Sequence, residues 1–173
     1  MTLFRPATPL MVQYAHYHRD RRNIATHLLG IPLIFLSIGV FLLGPAWSVA
    51  GQTVTLAWAM WAITSLWYLS RGDLLLGLAT SVVNGALIAA AHEVPPLAQA
   101  LGLAVWQAGF GLFLIGWVLQ FSGHYFEGRK PAFVDDVVGL LVGPMFVVGE
   151  VLMSAGLLQR MRIDIERQAG ATR

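Results

Sequence analysis

Ionisable side chains vanish from three long stretches of this 173-residue chain: Leu28 to Ser70, Leu74 to Ala91 and Val94 to Gly123 contain no Asp, Glu, Lys, Arg or His. A soluble domain could not cover itself with such segments. It normally carries about a quarter charged residues, and this chain has 12%. A lipid bilayer can serve as the outer solvent instead, and a helix crosses it with roughly 20 apolar residues. The expected fold class is therefore all-α, an integral membrane bundle of about five hydrophobic spans in one domain covering 1–173.

The first stretch holds two spans, divided by Gly44-Pro45 and Gly51-Gln52. The second and third hold one each, and a fifth runs to Leu158 with Glu150 as its only interior charge. The spans are placed near 28–44, 53–69, 74–91, 99–121 and 137–158. Residues 1–23 read as an N-terminal interfacial helix carrying Met11, Tyr14 and His18, followed by a turn at the basic run Arg19-Asp20-Arg21-Arg22. Asn23 suits the N-cap of the first span. Asp135 and Asp136 suit the N-terminus of the fifth. The first 20 residues are polar or mixed, so no removable signal peptide is expected.

Charge sets the expected orientation. Arg5, Arg19, Arg21, Arg22, Arg71, Arg129 and Lys130 fall on the face that holds residue 1, while the loops near 45–52 and 92–98 have no Lys or Arg. The positive-inside rule makes that basic face cytoplasmic. Five crossings would leave the arginine-bearing tail after Gln159 on the other side, unless Gly143-Pro144 breaks the last segment so that it re-enters. The basic residues sit where anionic headgroups lie, so membrane lipids are the expected neighbours. No basic stripe interleaved with aromatics suggests nucleic acid. The oligomeric state is not readable. The Ala, Gly and Arg usage points to a bacterial inner membrane.

Cysteine is absent, which removes disulfides, iron–sulfur clusters and thiolate zinc. Imidazole and carboxylate remain as metal ligands. Of the five histidines, His18, His27 and His124 fall on the basic face at one depth, and His92 ends the third span opposite. His18 and His27 are nine residues apart, on opposite sides of any single helix, so they share a metal only if the chain turns between them. His16 and His18 also point apart. A histidine at a membrane edge is often an ordinary headgroup residue, so the spacing fits either role. Around His124, Glu127 is an i,i+3 neighbour that could ligate, orient the histidine, or pair with Arg129 or Lys130. Glu150, inside a span, is either functional or a protonated hydrogen-bonder.

Two blocks carry a resemblance. Tyr14-x-x-Tyr17-His18 with Asn23-x-x-x-His27-x-x-Gly30-x-Pro32 is one. The other is Gln120-Phe121-Ser122-Gly123-His124-Tyr125-Phe126-Glu127, followed by Arg129, Pro131-Ala132 and Asp135. With Gly143-Pro144 and Glu150 they resemble, in order and over nearly the whole chain, the membrane 2-hydroxy fatty acid dioxygenases of α-oxidation. That resemblance implies an Fe(II) centre on His18, His27 and His124. It implies that a long-chain 2-hydroxy acid and O2 give the acid one carbon shorter and CO2. It leaves His16 and His92 outside the site. Asn23, Gln120 and Glu127 are then expected to support the ligands, and Arg129 or Lys130 to hold the substrate carboxylate. No dinucleotide or phosphate-binding glycine motif is visible, as suits a reaction in which the substrate supplies its own electrons. Two other classes remain: a haem electron-transfer protein with paired axial histidines, and a non-enzymatic lipid-binding or transport protein.

Overall fold

The computed structural model describes residues 3–132 and 137–173, with backbone alone at Gln52. It is an all-α bundle with one small hairpin. Helix α1 spans Ala7–Ala15 and α2 spans Arg21–Phe41, which continues unbroken past Pro32. Strands β1 (Ala46–Val49) and β2 (Gln52–Thr55) pair antiparallel, Ala46 with Thr55 and Val49 with Gln52. Their two-residue turn, Ala50-Gly51, has both φ positive, as a tight hairpin requires. Then follow α3 (Leu56–Leu69), α4 (Leu74–Ala91), α5 (Val94–Ala100), α6 (Val105–Glu127), α7 (Val138–Ser154) and α8 (Gln159–Ala169).

Three of these are long and apolar enough to cross a membrane: α2, α4 running on into α5, and α6. The second expected span differs. The hairpin takes up residues 52–55, so α3 is left with 14 residues. The last also differs: α7 and α8 meet at 112° and would count as one broken span at most. Gly143-Pro144 does not cause that break, since both lie buried within α7. The chain turns instead at 155–158, where Gly156 and Leu158 take positive φ. The sixth helix starts at Val105 rather than near 99, and runs past the expected end to Glu127, where Gly128 closes it in the left-handed conformation. Asp135 and Asp136 lie outside the described residues.

The N-terminal helix is not left on an interface. Leu10, Met11, Tyr14 and Ala15 are buried in one core with Tyr68, Leu76, Met145, Phe146 and Ile165, contributed by α3, α4, α7 and α8. Asp20, not Asn23, caps α2 by accepting from the Arg22 N–H, because α2 begins three residues earlier than a cap at Asn23 implies. The segment after α8 returns to this corner: Arg21 N–H donates to the Arg173 carbonyl, and Arg173 N–H to the Arg19 carbonyl, each at 2.9 Å. The tail therefore lies beside the start of α2, and the conflict between basic tail and five crossings disappears.

The pair α2 and α6 forms the centre. They run antiparallel and touch through small residues. A Cβ on Gly116 would sit 2.9 Å from the Gly30 carbonyl oxygen, and one on Gly109 would sit 2.9 Å from Phe41. At Gly123 it would collide with Asn23 and Thr26. This spacing of seven keeps the glycines on one face of α6. The faces just beside that seam diverge into a cleft.

Candidate metal centre

The cleft opens where α2 and α6 reach the basic end of the molecule, and three histidines meet there. His18 stands on the turn after α1, His27 on α2 and His124 on α6; the ligand nitrogens lie within 4.8 Å of one another and all three residues are buried. The chain does turn between His18 and His27, over 16–20. Ring centroids are 4.4 Å apart for His18–His27 and 4.9 Å for each pair with His124.

The protonation pattern argues for a cation. His18 Nδ1–H donates to the Tyr14 carbonyl at 2.8 Å, and His27 Nδ1–H to the Asn23 carbonyl at 2.9 Å. A carbonyl only accepts, so both Nδ1 atoms carry the proton and both Nε2 atoms carry a lone pair. Those two Nε2 atoms face each other at 3.0 Å. Two lone pairs at that distance repel unless a proton or a metal ion lies between them. Metal–imidazole bonds of about 2.1 Å at right angles put donor nitrogens about 3 Å apart. Nδ1 of His124 is buried with no hydrogen-bond partner, a further donor of the type a metal takes. Burial, and then the neighbouring His27, push the His18 imidazole well below its usual pKa, which keeps it in the neutral, ligating form. The residues present fit a metal ion.

Support for the ligands is built from both chain and side chain. Tyr14 stacks on His18 with centroids 4.2 Å apart and planes 3° from parallel, and Phe146 of α7 lies against both rings. Glu127 does not approach as a ligand. Its Oε2 accepts from the backbone N–H of Arg19 (2.9 Å) and Asp20 (2.8 Å) and from Asn23 Nδ2 (3.0 Å). It therefore ties the turn bearing His18 to the end of α6 bearing His124. Asn23 also donates to the Tyr17 carbonyl. The ion partner of Glu127 is Arg173 at 3.4 Å, not Arg129 or Lys130. Arg19 is buried, and its Nε donates to the carbonyls of Ala15 and His18. Burial lowers its pKa, opposed by Glu150 and Glu127; Glu150 pairs with it at 3.5 Å. Asp20, hydrogen-bonded to Arg22, has its pKa lowered to about 2.

A cavity of about 280 Å³ leads away from the histidines. His27, Ile31, Ile34, Phe35 and Ile38 line it from α2, and Phe113, Trp117, Gln120 and His124 from α6; Tyr14 and α7 residues such as Leu140 and Pro144 roof it. From His27 to Ile38 the helix rises about 16 Å, roughly half the hydrocarbon thickness and so one acyl chain deep.

The other expected residues fall outside. Gln120 makes no hydrogen bond to a histidine among the described residues and lies in the cavity wall. Arg129 is exposed, donates to the His16 carbonyl at 2.7 Å and does not line the cavity; Lys130 is exposed and does not line it either. His16 is exposed. His92 bonds to the Ile88 carbonyl and stacks on Trp58 at the far end. The sequence reading missed Tyr14, Arg19 and Phe146 as parts of the site. The four-residue step from Tyr14 to His18 was a signal for the first; nothing local marked the other two.

Two comparisons bear on this centre. The family model described as 2-hydroxy-palmitic acid dioxygenase Mpo1-like matches residues 4–155. The 2-hydroxy-palmitic acid dioxygenase MPO1 of Saccharomyces cerevisiae is 31% identical over 156 residues, covering 88% of this chain and 83% of the relative. No solved structure gives a significant match.

Proposed function

The chain belongs to the Mpo1-like family, and from that membership we propose that it is an Fe(II)-dependent dioxygenase that shortens long-chain 2-hydroxy fatty acids by one carbon. The observation that carries this reading is the convergence of His18, His27 and His124 at the head of an apolar cavity. In the reaction a 2-hydroxy acid and O2 give the shorter acid, CO2 and water. The substrate supplies all four electrons that reduce O2, so no flavin, nicotinamide or oxoacid is needed. Iron held by His18, His27 and His124 would supply the activation of O2 and a positive charge for the acid's hydroxyl and carboxylate.

The protein's own part is positioning and exclusion of water. The carbonyls of Tyr14 and Asn23 hold His18 and His27 in the tautomer that ligates, and Glu127 ties the turn that bears His18 to α6. The stripe from Ile31 to Ile38 and from Phe113 to Trp117 takes the acyl chain, with its carboxyl end toward the histidines. Arg129 and Lys130 stand exposed outside the cavity lining, so a metal on the three histidines would supply the charge for the carboxylate instead. The positive-inside rule puts the centre at the cytoplasmic end of the bundle, and the Ala, Gly and Arg usage favours a bacterial inner membrane.

A bis-histidine haem is disfavoured by the 3.0 Å separation of the His18 and His27 nitrogens, which leaves no room for a macrocycle between them. A passive lipid-binding protein would have no use for three converging imidazoles. Incubation of the detergent-purified protein with Fe(II) and 2-hydroxyhexadecanoate, followed by mass spectrometry of fatty acids, tests the reading. Pentadecanoate should accumulate, hexadecanoate should be left unaltered, and His124→Ala should abolish product. An unchanged substrate pool with the iron-loaded wild type would overturn it.

A further inference from the structure

One polar side chain in the cavity wall is left without a task by the metal centre. Gln120 sits one turn before His124 on α6, over nine-tenths buried at 6% exposure. Its Nε2 is sealed from solvent with no hydrogen-bond partner, and the amide makes no hydrogen bond among the described residues. A leucine or methionine would fill the same place without that cost. The backbone makes room for it: a Cβ on Gly30 would stand 2.6 Å from Nε2. An amide presents donors on one side and an acceptor on the other, and the two are interchangeable by a flip. With His27, His124, Tyr14 and Trp117 it supplies the polar groups of a wall that is otherwise largely apolar.

We infer that Gln120 binds the 2-hydroxyl group of the substrate and so selects 2-hydroxy acids over plain fatty acids. The inference rests on the proposed function and assigns one of its binding groups. The amide is neutral, which suits a hydroxyl better than a carboxylate, and its oxygen can accept the hydroxyl proton. A plain fatty acid would fill the same apolar stripe but leave the buried amide unsatisfied, and sites of this kind reject the analogue that lacks the hydroxyl. Gln120 is thus a specificity residue rather than a support for the histidines.

The test is anaerobic equilibrium binding of radiolabelled 2-hydroxyhexadecanoate and hexadecanoate to the full-length protein as purified, with metal content measured on each sample. Gln120→Met keeps the size of the side chain and removes its hydrogen bonding; Gln120→Glu keeps an acceptor and adds charge. Wild type should prefer the 2-hydroxy acid. In Gln120→Met that acid should bind about 10- to 100-fold more weakly, hexadecanoate should bind as before, and metal content should be unchanged. Gln120→Glu should weaken both acids by repelling their carboxylates. Equal discrimination in wild type and Gln120→Met, or a loss of metal in both variants, overturns the inference. Neither outcome touches the proposed function, which fails only if the wild type converts no 2-hydroxy acid.

Discussion

Two histidine nitrogens facing each other at 3.0 Å, each with its proton committed elsewhere, make a local charge problem that one cation solves. That cation would draw its geometry from residues that never touch it. Glu127 accepts two hydrogen bonds from the turn that carries His18 and one from Asn23 of α2, so Glu127→Ala should weaken metal binding about 10- to 100-fold, measured by competition with a chelator. His16→Ala should leave both metal content and activity as in wild type, since that side chain is exposed and faces away. His18, His27 and His124 were legible in the sequence because charge placed them on one face before any contact was known. Their braces were not. The link from Glu127 to Arg19 joins residues 108 positions apart, and no local pattern announces a contact of that range.

At the scale of helices, the site is where two elements come too close for side chains and then part. The glycine seam sets the α2–α6 distance, and the adjoining faces form the cavity. Gly116→Val should separate the helices, since even a Cβ there meets Ile34 at 2.6 Å; we expect a lower thermal midpoint in detergent and loss of activity. Phe113 stands at the deep end of the cavity lining, so Phe113→Ala should shift the preferred substrate toward longer chains, read by competing 2-hydroxy acids of graded length. Helix types and most ends were legible from apolar runs. The shortening of α3 was not, because Gln52 to Thr55 is polar enough for a loop and β-branched enough for a strand. Pro144 misled in the opposite direction: burial among α7 neighbours holds it inside a continuous helix, and tertiary packing outweighs its local cost.

Taken whole, the molecule is asymmetric along the bundle axis. His18, His27 and His124, the buried Arg19, the returning tail and α1 gather at one end, and the hairpin and α5 at the other. The absence of cysteine makes the arrangement directly testable. Single cysteines at Arg5 and Gln168 should react with an impermeant thiol reagent from the same side of sealed vesicles, and one at Ser48 from the opposite side. The number of crossings was the least legible feature, since an apolar helix bent back over a bundle has the same composition as one that passes through. The central claim is that the three-histidine centre, loaded with iron, couples O2 to chain shortening, and O2 uptake during metal removal and return tests it most directly. Protein stripped by chelator should consume no O2 with 2-hydroxyhexadecanoate, and Fe(II) should restore uptake matched one to one with pentadecanoate. Uptake that survives complete removal of metal, or that persists in His27→Ala, would contradict the account.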